Sequence, residues 1–144
     1  MIIDLGCGPE REYWISADLR LDLNVGDEPD DNLYNFDMRT ETLPVSDNTV
    51  DEIYCRYSLR FMYDEVTGLV DIFREMARAL KPLGRITIID WPEVFDPEQG
   101  DYYEVDYKVV QSTMLLALAM VKNLQLQTEI VGDDGFLWII QKGE

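Results

Sequence analysis

Short apolar runs alternate with polar, turn-rich stretches along the chain. Residues 1–5 form an apolar run that leads directly into a glycine-containing turn, which is typical of a buried parallel strand. Further runs with strand character are bounded by acidic or turn residues, and they cover residues 13–18, 33–37, 50–55 and 85–90. The pattern therefore predicts a series of short strands that begins at residue 1.

Two segments carry helical periodicity instead. After Asp64, a good N-cap residue, apolar side chains recur at three- and four-residue spacing as far as Leu80, and Pro82 then stops the helix. Residues 105–124 are predicted as a second helix, which is apolar on almost every side at 114–121. We interpret 114–121 as core, and a homodimer face stays open as the alternative.

Two final strands, 126–131 and 136–142, flank a Gly-Asp-Asp-Gly hairpin signal. Strands separated by helices indicate an α/β fold, with a mostly parallel sheet and an antiparallel C-terminal hairpin strand. The length of 144 residues fits one domain, 1–144, which is long enough to bury a sizeable core.

Polar and glycine residues follow the predicted strands, where ligands bind in open α/β sheets. They are Asp4, Gly6, Gly8, Asp18, Asp37, Arg56, Tyr57 and Asp90. The two glycines would let the backbone approach a ligand that a Cβ would exclude. Asp18, which closes the predicted second strand, can accept both hydroxyls of a ribose, and a solvated strand end is the alternative role for it.

The turn after Pro9 bears on which nucleotide is bound. A dinucleotide needs its pyrophosphate at a helix N-terminus, but residues 10–12 lead almost at once into the next strand and include two glutamates. S-adenosylmethionine (SAM) has no phosphate and carries a sulfonium and an ammonium group. The local chemistry therefore favours SAM over a nicotinamide dinucleotide.

Composition excludes some classes of partner and some kinds of catalytic chemistry. The formal charge of −17 repels polyanions and no basic stripe interrupts the sequence, so we expect neither nucleic acid nor an anionic membrane as a partner. The absence of histidine removes the commonest general base and metal ligand, and no metal is predicted. No signal peptide or membrane-spanning run is seen, so a cytoplasmic location is expected.

Three segments in order resemble the class I SAM-dependent methyltransferases, in particular the methyltransferase type 11-like group. They are Asp-Leu-Gly-Cys-Gly-Pro at 4–9, Leu-Pro-Val-Ser-Asp-Asn-Thr-Val-Asp-Glu-Ile at 43–53, and the stretch 73–85 that contains Arg-Glu-Met and Leu-Lys-Pro-Leu-Gly-Arg. The resemblance implies a Rossmann-like sandwich, abbreviated at its N-terminus, and SAM as the cofactor.

The resemblance also implies site residues. The cofactor contacts it implies are Asp4, Gly6, Cys7, Gly8, Asp18, Asp37, Met38 and Arg56. Asp4 would orient the methionine ammonium, Asp18 would bind the ribose, and Asp37 with Met38 would hold the adenine. Tyr57, together with Arg56, would face the methionine end and the substrate.

Methyl transfer from a sulfonium is a direct displacement, in which a base is needed only for a protonated nucleophile. Asp90 and Tyr57 are the catalytic candidates, although a satisfied strand end is an alternative role for Asp90. Besides the abbreviated N-terminus and the missing helix after the glycine loop, the sequence departs from the family at two further points: Arg60 and Phe61 stand where relatives often have Glu-His, and Leu83 replaces a glycine.

The expected function is methyl transfer from SAM to a small-molecule acceptor. The strongest alternative is a SAM-binding module that has lost catalysis and acts through interaction. A nicotinamide-dependent oxidoreductase is a weaker alternative, because the third glycine and the helix after the glycine loop are missing.

Overall fold

A seven-stranded sheet forms the centre of the computed structural model, which describes residues 1–6, 16–23, 32–63, 65–133 and 135–144. Its strands are β1 (Ile2–Leu5), β2 (Leu19–Asp22), β3 (Leu33–Asn35), β4 (Val50–Arg56), β5 (Leu80–Asp90), β8 (Leu124–Gly132) and β9 (Gly135–Lys142). A separate hairpin consists of β6 (Glu93–Asp96) and β7 (Asp101–Glu104). The helices are α1 (Val66–Ala79) and α2 (Tyr107–Ala119), with a short 3-10 helix at Leu59–Phe61.

The strand order is β3-β2-β1-β4-β5-β9-β8. Neighbouring strands from β3 to β5 are parallel, and β9 is antiparallel to both β5 and β8. The mostly parallel α/β sheet with an antiparallel C-terminal hairpin strand is therefore confirmed. None of the helices in the described ranges is long and apolar enough to cross a bilayer.

The hydrophobic core lies against one face of the sheet. Ile3, Ile53, Ile86 and Ile140 lie in one row of the strand register, and all four are fully buried. Both helices pack on each other and contribute apolar side chains to the same core cluster. The apolar face of α1, predicted from its spacing, is buried there.

The second strand was predicted at 13–18, and this prediction is wrong for its described residues, 16–18, which precede β2. β2 begins at Leu19, opposite Ile3 in β1, and residues 7–15 lie outside the described part of the chain. The apolar-polar alternation of Leu19-Arg20-Leu21-Asp22 explains this register, because it directs Leu21 into the core. The carboxyl end of β2 is therefore Asp22 rather than Asp18.

Other boundaries shift less. Glu65 occupies the N-cap of α1 without a side-chain hydrogen bond, and Asp64 lies outside the described residues. The hairpin β6–β7 was not predicted, and α2 is shorter than the predicted 105–124. The predicted turn at 81–84 is part of β5, as an irregularity in its pairing with β4.

Arg78 connects two of the family-like segments. Its guanidinium donates to the carbonyl oxygens of Val45 at 2.9 Å and Leu43 at 3.1 Å, and pairs with Glu75 and Asp47. α1 therefore holds the loop that follows β3 through contacts with residues 43–47.

Candidate functional site

A cavity of about 310 Å³ opens at the carboxyl ends of β1, β2, β3 and β4. The described residues that line it are the last residues of β1 and β2, residues that follow β1 to β4, and the 3-10 helix after β4 with its cap residues. They are Leu5, Gly6, Leu21, Asp22, Leu23, Phe36, Asp37, Met38, Arg39, Tyr57, Ser58, Phe61 and Met62. The topology thus places the cavity where open α/β sheets bind ligands.

The cavity combines apolar walls with two carboxylates. Phe36, Met38 and Met62 provide flat or flexible apolar surface, and Asp22 and Asp37 provide negative charge. Such a lining suits a ligand that is partly aromatic and carries cationic or hydroxyl groups.

Asp37 is held in place by Arg39. The Asp37 carboxylate accepts hydrogen bonds from the Arg39 backbone at 3.0 Å and from its Nε at 3.2 Å. These bonds lower the pKa of Asp37, so the carboxylate is ionised at neutral pH. The structure places Asp37 and Met38 beside the cavity, where the sequence predicted them.

Gly6 occupies a position that no other residue fits. Its φ is +72°, and a Cβ added there would lie 2.3 Å from the Ser58 Cβ. The Ser58 hydroxyl donates to the Leu5 carbonyl at 3.0 Å. The glycine loop after β1 therefore packs directly against the segment after β4, and this contact closes one wall of the cavity.

Asp4 and Arg56 form a buried ion pair behind this wall. Arg56 Nη2 donates to Asp4 Oδ2 at 3.1 Å, and Asp4 is fully buried. Burial raises the pKa of Asp4, while the Arg56 charge acts in the opposite direction. Among the described residues, none donates a hydrogen bond to Asp4 Oδ1, which leaves one buried acceptor next to the cavity-lining residues Leu5 and Gly6.

The prediction for Asp18 does not fit the structure. Asp18 lies at the amino end of β2, where its Oδ2 accepts from the Ile2 amide at 2.8 Å. This is the end of the sheet opposite the cavity. Asp22 occupies the carboxyl end instead and lines the cavity. The period-two pattern of residues 19–22 was the signal for Asp22 that the sequence interpretation overlooked.

Cys7 and Gly8 lie outside the described residues, so the predicted backbone contacts at these two positions have no structural counterpart here. Arg56 is engaged with Asp4 and is not among the residues that line the cavity.

Tyr57 and Trp91 stand side by side at the carboxyl ends of β4 and β5. Their rings stack with centroids 4.9 Å apart, and the two residues are 43% and 38% exposed. Tyr57 has a φ of +55°, and its amide donates to the Ile89 carbonyl at 2.7 Å. The Tyr57 ring therefore forms an outward-facing part of the cavity wall, with Trp91 as its support.

The Asp90 carboxylate is bound by neighbouring groups of the protein. Its carboxylate pairs with Arg60 and accepts from the Trp91 amide at 2.8 Å, and only 3% of the residue is exposed. Arg60 also contacts Glu93 at 3.1 Å. Burial raises the pKa of Asp90, while Arg60 opposes this shift. Asp90 is therefore a residue at the end of a strand whose hydrogen-bonding groups are satisfied by the protein itself. This is the alternative role that the sequence left open for it.

Comparison with known proteins decides the family. The family model described as "Methyltransferase domain" matches residues 3–88, which is more than half of the chain. The chain belongs to the methyltransferase domain family that this model describes. The predicted resemblance is therefore confirmed, and SAM is the cofactor of the family.

Curated relatives of this methyltransferase domain match it over less than half of its residues. The demethylmenaquinone methyltransferase of Corynebacterium efficiens is 40% identical over 63 residues, 44% of this chain and 26% of the relative. The ubiquinone/menaquinone biosynthesis C-methyltransferase UbiE of Paraburkholderia phymatum is 33% identical over 70 residues, 49% of this chain and 27% of the relative. The matched part spans about a quarter of the length of these relatives.

Solved structures share the fold of the methyltransferase domain over nearly its whole length. A SAM-dependent methyltransferase of Methanosarcina mazei has a TM-score of 0.67 at 15% identity, covering 99% of this chain and 92% of that one. An enzyme of the same description from Aquifex aeolicus has a TM-score of 0.62 at 17% identity, covering 98% and 81%. At these identities the likeness shows the fold alone.

The residues of the methyltransferase domain fit SAM. The cavity offers apolar surface for an adenine ring, two carboxylates for hydroxyl or cationic groups, and the unsatisfied Asp4 oxygen close by. Arg39, the cation among the described residues of the lining, is paired with Asp37, so this lining matches a cationic ligand better than a pyrophosphate.

Proposed function

We propose that the chain is a SAM-dependent methyltransferase domain that transfers a methyl group directly to a small-molecule acceptor. The single observation that carries this proposal is the cavity at the carboxyl ends of β1–β4, whose carboxylates and apolar walls suit SAM. The family match supports the cofactor, and the curated relatives act, by their names, on quinone precursors.

Each site residue has a separate binding role in this proposal. Asp22 accepts from the ribose hydroxyls, Asp37 and Met38 hold the adenine, and the Asp4 carboxylate orients the methionine ammonium. SAM, when bound, supplies the methyl group. The chain's part is to hold the cofactor and the acceptor in line, which can supply roughly 7–11 kcal/mol of the barrier.

Tyr57 is the residue of the cavity best placed to meet the acceptor. It lines the cavity, its ring is partly exposed, and its stacking on Trp91 fixes its orientation. In this proposal the acceptor is an intrinsic nucleophile or loses its proton to solvent, because Asp90 is paired with Arg60 and does not act as a base.

The charge of −17 supports a small-molecule acceptor over nucleic acid or an anionic membrane. A cytoplasmic location and a single domain over 1–144 stay predictions. The second candidate is a SAM-binding module without catalysis, which the engaged state of Asp90 favours.

Turnover distinguishes the two candidates. The protein is incubated with SAM carrying a labelled methyl group and a fractionated extract of small metabolites, with nucleic-acid and protein fractions as controls. We expect label in a small-molecule fraction together with release of S-adenosylhomocysteine, and loss of both with Tyr57→Ala. Label in the nucleic-acid or protein fraction would overturn the acceptor class. SAM binding without label in any fraction would favour the non-catalytic module.

A further inference from the structure

The outer face of α2 exposes large apolar side chains to solvent. Val109, Leu115, Leu116 and Met120 are each between 44% and 53% exposed, although the opposite face of the helix is in the core. Val109, Leu116 and Met120 recur at helical spacing, so they form one row, and Leu115 lies on the same solvent-exposed side of the helix. We call these four residues the α2 stripe. Contiguous apolar surface of this kind marks an interaction site.

The α2 stripe lies in the longest stretch of the sequence without a carboxylate. Residues 107–128 contain neither Asp nor Glu, while the whole chain has 29 of them. The charged residues in this stretch are Lys108 and Lys122, one near each end of the helix, and both are exposed. The carboxylate nearest along the chain on the C-terminal side, Glu129, accepts hydrogen bonds from Tyr107 and Gln111.

We propose that the α2 stripe is the contact surface of a homodimer, in which two copies of this chain pack their α2 helices about a two-fold axis. Two copies that each carry a charge of −17 repel one another over most of their surface. The α2 surface combines exposed apolar area with two lysines, and the carboxylates next to it are Asp106 at the N-cap and Glu129. Approach there meets less repulsion than approach over the acidic remainder of the surface. A two-fold contact uses the same patch on both copies, as an apolar stripe on one helix requires.

The charge distribution predicts an unusual salt dependence for this dimer. The contact itself is apolar, whereas the opposing force is long-range repulsion between two acidic bodies. Raising the ionic strength shortens the Debye length from about 10 Å at 0.1 M to about 3 Å at 1 M. Added salt therefore strengthens the dimer. A complex of the two lysines with an acidic partner of another kind would weaken under the same change.

Sedimentation equilibrium of the full chain tests the proposal over a concentration series at low and high salt. We expect a concentration-dependent dimer whose dissociation constant falls as salt rises. Leu116→Glu should raise the dissociation constant by at least about tenfold, because it buries a charge in the contact. Lys122→Glu should weaken the dimer at low salt more than at high salt.

Ile130→Glu is the matched control, because Ile130 is 59% exposed but belongs to β8 rather than to α2. Circular dichroism melting confirms that each variant is folded. A protein that stays monomeric at all concentrations and salts overturns the proposal. If Leu116→Glu leaves the dimer unchanged, the contact lies elsewhere and the proposal is overturned. The same conclusion follows if Ile130→Glu disrupts the dimer as much as Leu116→Glu does.

Discussion

Gly6 and Ser58 approach so closely that the loop after β1 and the segment after β4 form one continuous wall. A Cβ on Gly6 would lie 2.3 Å from the Ser58 Cβ and 2.6 Å from its Oγ. The sequence interpretation assigned Gly6 to close approach of the cofactor. The structure shows that a protein side chain already requires the glycine at this position.

Gly6→Ala should therefore weaken both the fold and the site. The substitution adds a clash with Ser58 to an unfavourable φ of +72°, and a non-glycine residue in that region alone costs on the order of 1–3 kcal/mol. We expect a lower melting temperature and weaker SAM binding. Gly6→Ala combined with Ser58→Gly removes the clash but keeps the backbone strain, so recovery should be partial. A melting temperature unchanged by Gly6→Ala would contradict this packing.

Leu83 is strained for a related reason. Its φ is +67°, and half of its side chain is exposed, so the leucine gains little from burial. The methyltransferase family that this sequence resembles has a glycine at the position of Leu83 in its motif. The backbone conformation at this position explains that preference. Leu83→Gly should stabilise the fold by about 1 kcal/mol, as measured by urea denaturation.

Leu83→Ala is the control for that substitution. Alanine removes the leucine side chain but retains a Cβ, so it should bring much less stabilisation than glycine. Equal effects of the two substitutions would mean that the exposed side chain, and not the backbone angle, is responsible.

Asp4 should make folding stability depend on pH in a particular direction. Its pKa is raised in the folded state above the ordinary value of 3.8, so the folded protein holds the proton to higher pH than the unfolded chain does. Its contribution to stability is therefore complete below pH 3.8, and it is lost as pH rises through the folded-state pKa.

Asp4→Asn tests this linkage. The free energy of unfolding of the variant minus that of the wild type should increase as pH rises from about 4 towards neutrality. The same variant should bind SAM more weakly, because it loses the negative charge opposite the ammonium. A difference in stability that is constant with pH would show that Asp4 ionises equally in both states.

The sequence predicted the sheet and the general position of the site, because both depend on local patterns. The strand β4, the amphipathic face of α1 and the final hairpin have unambiguous periodicity and turn residues. Asp37, Met38 and Tyr57 follow such strands directly, and the structure brings all three to one cavity.

The positions that were mispredicted depend on register or on distant contacts. Asp18 and Asp22 both follow apolar residues, the period-two pattern of 19–22 is only four residues long, and the pairing of β2 with β1 places Asp22 at the cavity. The pairing of Asp90 with Arg60 is set by the 3-10 helix after β4, which has no periodic signature. The stacking of Trp91 on Tyr57 likewise joins two strands that are far apart in sequence.

The central claim is that SAM binds at the carboxyl ends of β1–β4, with Asp22 as a direct contact. Titration calorimetry of SAM with the wild type, Asp22→Asn and Asp18→Asn tests this most directly, with NAD as a negative ligand. We expect SAM to bind the wild type, Asp22→Asn to weaken it by about tenfold or more, and Asp18→Asn to leave the affinity nearly unchanged. Loss of SAM binding with Asp18→Asn but not with Asp22→Asn, or binding of NAD in place of SAM, would contradict the account.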